Sequence, residues 1–111
     1  MSDFQQDTEE TPVVFRAERR KDGEVTAVFS CEPANLHGFE MACYMHIGQH
    51  GGCALGWYNK TRAAKPEEYA ALKAELEGRP FGYRLKVYQR ITPQHRKTFQ
   101  ANLDRLNGRG I

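Results

Sequence analysis

The sequence has no long apolar run and few cysteines. No stretch approaches the roughly 18 consecutive apolar residues of a membrane-spanning helix, so we expect no membrane partner. The opening residues, MSDFQQDTEETP, are polar and acidic, and they lack the basic start and apolar centre of a secretory signal. Three cysteines in a chain without such a signal favour reduced thiols. The sequence therefore predicts a cytoplasmic protein.

Motifs of nucleotide-handling enzymes are missing as well. The chain contains neither G-x-x-x-x-G-K-[ST] nor a G-x-G-x-x-G before a predicted helix. Nucleophilic catalysis needs a thiol or hydroxyl beside a base that a third group orients. Cys31 and His37 flank one predicted loop, as do the carboxylates Glu32 and Glu40, but nothing in the sequence ties either pair together. Catalysis is therefore the less favoured class, and we predict no cofactor.

The balance of charge differs between the two halves of the chain. The length of 111 residues fits one domain, which we place at residues 12–111 behind a solvated tail at residues 1–11. Residues 1–58 hold 4 Lys/Arg and 9 Asp/Glu, a net charge of −5, whereas residues 59–111 hold 12 and 5, a net charge of +7. A basic half favours an acidic partner, unless the two halves only attract each other.

Alternating apolar residues and turn signals predict an α+β fold. Asp22-Gly23 is a strong hairpin signal, and Thr92-Pro93 is a strong helix start. The predicted elements are a hairpin at 13–30, strands at 39–47 and 53–59, a helix from Pro66 to Gly78, a strand at 82–91 and a helix from Thr92 to about Asn107. The order ββββαβα predicts an antiparallel sheet of about five strands with two helices on one face.

The segment CYMHIGQHGGC resembles a set of zinc ligands, with Cys43, His46, His50 and Cys53 at C-x2-H-x3-H-x2-C spacing. Strand geometry opposes this interpretation. Cys43 and His46 are separated by an odd number of residues on one predicted strand, so their side chains point to opposite faces. We therefore predict no metal site here.

The hairpin around GQHGG fixes the predicted positions of the two cysteines. A five-residue loop pairs Ile47 with Cys53 and Cys43 with Trp57, which places the large apolar side chains on one face. Cys43 and Cys53 then share that face at about 13 Å, since strands rise about 3.3 Å per residue. This distance excludes a shared metal and a disulfide. We expect two buried cysteines that act as small apolar residues.

His46, Gln49 and His50 are the polar groups that remain at this hairpin. The flanking glycines allow positive φ angles or the close approach of a partner's backbone. The three side chains either contact a ligand or partner, or only decorate a turn shaped by glycine. A small ligand-binding domain or enzyme centred on them is the alternative function that we carry forward.

A second candidate surface lies on the predicted fifth strand. Arg84, Lys86, Tyr88 and Arg90 alternate on one of its faces. Such a row can bind phosphates, with the tyrosine free to stack on a base, or it can be an ordinary solvated sheet face. The partner that it predicts is a protein or a nucleic acid, and the sequence does not decide between them.

The runs VVFRAERRKDGEVTAVF, HIGQHGGCALGWY, PEEYAALKAELE and GYRLKVYQRIT resemble small uncharacterised bacterial and phage or prophage-type proteins of unknown function. The resemblance covers roughly residues 13–92, and it brings no assigned functional residues. It implies a bacterial cytoplasm, a mobile-element origin and action by binding, with modulation of a host complex as one outcome. The sequence thus predicts a small binding module, and assembly through an unpaired strand edge stays open.

Overall fold

The computed structural model describes residues 10–45 and 49–108. Within them the chain forms one six-stranded sheet and three helices. The elements are β1 (Thr11–Ala17), β2 (Val25–Pro33), β3 (Glu40–Tyr44), β4 (His50–Ala54), α1 (Leu55–Asn59), β5 (Arg62–Ala63), α2 (Pro66–Glu77), β6 (Leu85–Tyr88) and α3 (Pro93–Leu106). The α+β class with a largely antiparallel sheet is confirmed. Residues 1–9 of the predicted tail and residues 46–48 of the predicted second hairpin lie outside the described parts. The strand β1 begins at Thr11, within the segment predicted as tail.

The sheet has the order β4-β3-β2-β1, and both β5 and β6 pair with the remaining edge of β1. β5 is antiparallel to the end of β1, whereas β6 runs parallel to its beginning, from Thr11 opposite Leu85 to Val14 opposite Tyr88. The predicted fifth strand therefore forms a parallel pair. Residue alternation does not reveal strand direction, because both kinds of strand repeat every two residues.

The first predicted hairpin is confirmed, with Val14 opposite Val28. Its connection contains Asp22 in the left-handed region, at a φ of 57°. The backbone of Gly23 passes so close to Glu18 that a Cβ atom there would lie 2.6 Å from the Glu18 carbonyl oxygen. The Asp-Gly pair is therefore required by a strained turn and a close backbone approach.

Two apolar clusters lie on opposite faces of the sheet. The cluster under α2 contains Val13, Phe15, Ala27, Phe29, Tyr44, Leu72, Leu76 and Leu85. The cluster under α1 and α3 contains Val14, Val28, Met41, Cys43, Cys53 and Tyr58, with Phe99 of α3 packed against it. The predicted placement of two helices on one face is therefore wrong. Three successive residues of β1, from Val13 to Phe15, are buried, which is typical of a strand that is covered on both faces.

The second hairpin has a different register from the predicted one. Cys43 pairs with Gly51 instead of Trp57, a shift of six residues. Because six is even, Cys43 and Cys53 keep their predicted common face. The chain after β4 is not a strand but the short helix α1, whose Tyr58 is buried in the second cluster. The Arg16 guanidinium lies over the Tyr58 ring at 4.2 Å and covers it.

The two long helices begin where the sequence predicts. Pro66 opens α2, and Tyr69 in its first turn stacks on Phe15 of β1 with ring centroids 4.3 Å apart. Thr92 caps α3, because its hydroxyl oxygen accepts the backbone N–H of His95 at 3.1 Å. In the described parts of the chain, no helix has the length and apolar character needed to cross a membrane.

Candidate binding site between strand β6 and helix α3

The predicted hairpin site is only partly described, since His46 lies outside the described residues. Gln49 is exposed in the loop before β4. His50 is the first residue of β4, and its ring contacts those of Tyr44 and Phe81 at centroid distances of 4.7 and 5.6 Å. These contacts make His50 part of an aromatic cluster on the α2 face.

The predicted basic row lies along β6 and just beyond its ends. Arg84, Lys86 and Arg90 are exposed, while Tyr88 is half-buried. The Tyr88 ring packs edge-to-face against His95 of α3 at 4.3 Å, and the Lys86 ammonium lies 5.7 Å from the centre of the same ring. The expectation of an open sheet face is therefore wrong, because α3 covers the face on which Tyr88 lies.

The two predicted surfaces do not come together. Lys86 lies on β6 and His50 on β4, at opposite edges of the sheet. Four strand spacings of about 4.8 Å separate those edges, which gives roughly 19 Å. The two side chains also lie on different faces of the sheet. Lys86 pairs with Pro12 and lies on the same face as Tyr88, which is the face that α3 covers. His50 pairs with Tyr44, which lies on the α2 face. The described residues of the hairpin tip and the basic row are therefore not adjacent to each other.

A cleft of about 530 Å³ opens between β6, the start of β1, the end of β2 and one flank of α3. Its wall is largely polar. The lining residues are Glu10, Thr11, Pro12, Cys31, Glu32, Tyr88, Gln94, His95, Thr98, Asn102 and Arg105. Of these, only Tyr88 belongs to the set of binding residues predicted from the sequence. The cleft therefore adds a site that the strand pattern did not reveal.

The imidazole of His95 is the most buried ionisable group of this cleft, at 3% exposure. Its Nδ1 lies 2.9 Å from the Ser30 hydroxyl and 3.4 Å from the backbone nitrogen of Thr92. A backbone N–H can only donate, so Nδ1 is the acceptor and the proton of neutral His95 is assigned to Nε2. Burial lowers the pKa of His95, which favours this neutral form. Nε2 has no hydrogen-bond partner among the described residues.

Two opposite charges line the same cleft without pairing with each other. Burial raises the pKa of Glu32, and its carboxylate has no hydrogen-bond or ion-pair partner within residues 10–45 and 49–108. Arg105 is exposed and likewise has no ion-pair partner there. Asn102 holds the wall in place, because its side-chain amide donates to the Cys31 carbonyl at 2.8 Å. The cleft thus offers carboxylate acceptors and one cation.

A smaller groove of about 230 Å³ lies on the other flank of α3. Phe39, Met41, Leu55 and Phe99 give it an apolar lining, and Arg96 stands among them. Phe39 is 79% exposed, which is unusual for a side chain of this size. The groove has fewer polar groups than the cleft beside β6, and among the described residues that line it no buried side-chain polar atom lacks a partner.

The two cysteines of the hairpin are closer than predicted. Cys43 and Cys53 are diagonal neighbours on one face, and their thiols hydrogen bond to each other. The hydrogen bond from Cys53 lowers the pKa of Cys43, and the same contact raises the pKa of Cys53. The predicted separation of about 13 Å is therefore wrong, although the shared buried face is confirmed. Among the described residues, no three His, Cys, Asp or Glu side chains come together as metal ligands.

One signal in the sequence does point to His95. It shares a helical stripe with Phe99 and Leu103, at intervals of four residues, and that stripe packs on the sheet. A histidine inside an apolar stripe is buried, and a buried imidazole needs partners. Its partner Ser30 is 65 residues away in the chain, so no local pattern joins the two.

Comparisons with protein-family models, curated proteins and solved structures found no match to this chain. The functional interpretation therefore depends on the geometry of the site itself.

Proposed function

We propose that this chain is a small binding module for an acidic segment of a protein partner, with cations of β6, of α3 and of the connection between them as its contact surface. The observation that carries the proposal is the charge of residues 84–108. They include six Lys/Arg and one Asp/Glu, a net charge of +5. Lys86, Arg90 and Lys97 are exposed, and none has an ion-pair partner among the described residues.

Several cations outside this region are already neutralised. Arg20 pairs with Glu18 at 2.8 Å, and Lys73 pairs with Glu77 at 2.9 Å. Uncompensated cations on neighbouring segments of a chain attract an acidic surface and speed its association. The region between β6 and α3 is therefore the part of the surface best suited to an acidic partner.

The local chemistry favours a protein over a nucleic acid. Binding of single strands relies on exposed aromatic rings as stacking platforms, but the Tyr88 ring is packed against His95 and beneath Lys86. The carboxylates of Glu10 and Glu32 line the adjacent cleft, and they would repel a continuous run of phosphates. A protein segment of mixed charge can avoid these carboxylates.

The predicted alternative, a ligand site centred on His46, Gln49 and His50, stays a prediction. His50 already contacts two aromatic rings, which favours a structural role for this side chain over a ligand-binding or catalytic one. A bacterial cytoplasm and a phage or prophage origin are further proposals that derive from the sequence resemblance. Homo-oligomerisation of this chain through the edge strands β4 and β6 is likewise a proposal.

The test compares two variants with equal changes in charge. One carries Lys86→Glu, Arg90→Glu and Lys97→Glu, and the control carries glutamate at three other exposed cations, Lys21, Lys60 and Arg79. The probes are a glutamate-rich peptide and a single-stranded oligonucleotide of equal charge, titrated at physiological salt.

We expect the peptide to bind the wild-type protein and the control variant, and to lose binding to the β6–α3 variant. Equal binding to both variants would exclude this surface. Tighter binding of the oligonucleotide, with a steep salt dependence, would replace the protein partner by a nucleic acid.

A further inference from the structure

We propose that the groove of about 230 Å³ beside α3 holds a large apolar side chain of the protein partner, with an acidic residue of the same segment at Arg96. The inference rests on the proposed function, because it adds an apolar anchor to the acidic segment. The groove adjoins the contact surface along the chain, since Ile91 of its lining follows Arg90, and Arg96 precedes Lys97.

Phe39 of the groove is exposed although the segment that carries it is packed against α3. The side chain is 79% exposed. The preceding residue, Gly38, has a φ of 81°, and a Cβ atom there would lie 2.5 Å from the Leu103 side chain of α3. Asn107, which follows α3, donates from its side chain to the Leu36 carbonyl at 3.2 Å. The segment is therefore held in place, and an apolar partner side chain would cover Phe39.

The rest of the groove suits one apolar side chain. Its other apolar lining residues are Met41, Leu55, Ile91 and Phe99. Leu55 is 39% exposed, so it too has surface left for a partner to cover. The volume of about 230 Å³ is below the roughly 300–1,000 Å³ that is typical of pockets for small-molecule ligands. Protein interfaces, in contrast, are commonly held by a few large side chains that each fill a pocket.

The charge of the groove favours an acidic residue beside that anchor. Arg96 is exposed, and its guanidinium has no ion-pair partner among the described residues. Glu40 also lines the groove, but its side chain lies on the other face of the sheet. A Cβ atom on Gly52 would come within 3.2 Å of the Glu40 Cβ, and Gly52 pairs with Ala42, which packs in the cluster under α2. Glu40 therefore does not neutralise Arg96, and a carboxylate of the partner can do so.

The experiment compares two glutamate-rich peptides of equal length and charge, one with a central phenylalanine and one with serine in its place. Each peptide is titrated into the full chain at physiological salt, and the backbone amide signals are followed by NMR. We expect the phenylalanine peptide to bind about tenfold more tightly, as the burial of one such side chain implies. It should also shift the signals of Phe39, Leu55 and Phe99, which the serine peptide should leave unchanged.

Variants of the groove test where the anchor lies. Phe39→Ala and Leu55→Ala should each reduce the preference for the phenylalanine peptide to about threefold or less. Leu106→Ala is the matched control, because Leu106 is 56% exposed and does not line the groove. Arg96→Gln should weaken binding of the phenylalanine peptide more than Arg79→Gln does. Arg79 is an exposed cation that belongs neither to the groove nor to the contact surface.

Equal affinity for the two peptides would overturn this inference and leave the contact surface in place. A preference for phenylalanine that persists in both Phe39→Ala and Leu55→Ala would overturn it as well. Equal effects of Arg96→Gln and Arg79→Gln would overturn the assignment of the carboxylate to Arg96. If neither peptide binds, the proposed function fails, and the inference fails with it.

A second copy of the chain is the other occupant that the experiment can detect. Analytical ultracentrifugation that shows a dimer, dissociated by Phe39→Ala, would assign the groove to that copy and overturn the inference. If Leu55→Ala does not fold, Phe39→Ala and the pair of peptides still decide the question, because Phe39 is largely exposed.

Discussion

Ser30 of β2 donates its hydroxyl hydrogen to Nδ1 of His95 on α3 across a distance of 2.9 Å. Both residues are buried, at 1% and 3% exposure. The backbone N–H of the same histidine caps the helix by donating to the Thr92 hydroxyl. One residue therefore fixes both the start of α3 and its position on the sheet, and it also forms part of the wall of the candidate cleft.

Replacing Ser30 by Ala tests this relationship. The change removes the stronger donor to Nδ1 and leaves only the long contact from Thr92. We expect the free energy of unfolding in urea to fall by about 1–3 kcal/mol, the usual cost of a buried polar atom that loses its partner. Ser30→Cys nearly keeps the size of the side chain but offers a weaker donor, so its free energy of unfolding should lie between those of the wild type and Ser30→Ala. An unfolding free energy that is unchanged in Ser30→Ala would show that the hydrogen bond contributes nothing to stability.

The stability of the fold should depend on pH through His95. Burial lowers the pKa of this imidazole, so the unfolded chain, with a histidine pKa of about 6.5, takes up the proton first. The contribution of His95 is therefore complete above about pH 6.5 and is lost as the pH falls through the folded pKa. We expect the free energy of unfolding to decline between about pH 7 and 5, and His95→Gln to flatten that decline.

His37→Gln is the control for this pH series, because His37 is exposed in the loop after β2. Glu10, Glu32 and Arg105 share the cleft with His95. Burial raises the pKa of Glu32, so this group acts with the opposite sign, and it is present in all three proteins. The difference between His95→Gln and His37→Gln thus isolates His95. Equal slopes in both variants would contradict its role.

The sequence predicts what local patterns can encode. Alternation identified the first hairpin, and the signals at Pro66 and Thr92 placed the starts of two helices. The alternation of side chains along a strand also predicted correctly that Cys43 and Cys53 share a buried face, because the error in the predicted register was an even number of residues. These features depend on neighbours within a few positions of each other in the chain.

Long-range pairing escaped prediction for the same reason. β6 pairs with β1 across 74 residues, from Thr11 to Leu85, and no short pattern indicates either its direction or its place at the edge. The burial of Tyr88 follows from α3 crossing its face, and the cleft exists only where three distant segments meet. The predicted basic row was located on the right strand, but its surroundings required the tertiary structure.

Cys43 and Cys53 should remain reduced in the folded protein. Diagonal neighbours on antiparallel strands have Cα atoms about 7–8 Å apart, and a disulfide needs about 4.4–6.8 Å. We expect all three thiols to react with a thiol reagent in denaturant after mild treatment of the native protein with hydrogen peroxide, and to react slowly in the native protein because all three are buried. The loss of two reactive thiols in wild type, but not in Cys43→Ser, would show that the strands move enough to form the bond.

Glu68 should stabilise the fold far more than its neighbour Glu67. Its carboxylate accepts two hydrogen bonds from the Arg62 guanidinium, at 2.8 and 2.7 Å, and one from the Lys65 backbone N–H at the start of α2. These donors lower the pKa of Glu68 to about 2. We expect Glu68→Gln to lower the Tm at pH 7 by a few degrees, while Glu67→Gln, at an exposed position, leaves it nearly unchanged.

The pH dependence of the Glu68 effect provides a second check. The folded pKa lies below the unfolded value of about 4.3, so the stabilisation is complete above the unfolded pKa and is lost as the pH falls through about 2. The difference in Tm between wild type and Glu68→Gln should therefore stay constant from pH 7 to about pH 5 and shrink at lower pH. If the difference in Tm persists undiminished below about pH 2, the stabilisation by Glu68 does not depend on the charge of its carboxylate. Equal Tm values for Glu68→Gln and Glu67→Gln at pH 7 would mean that the pair with Arg62 adds no net stability.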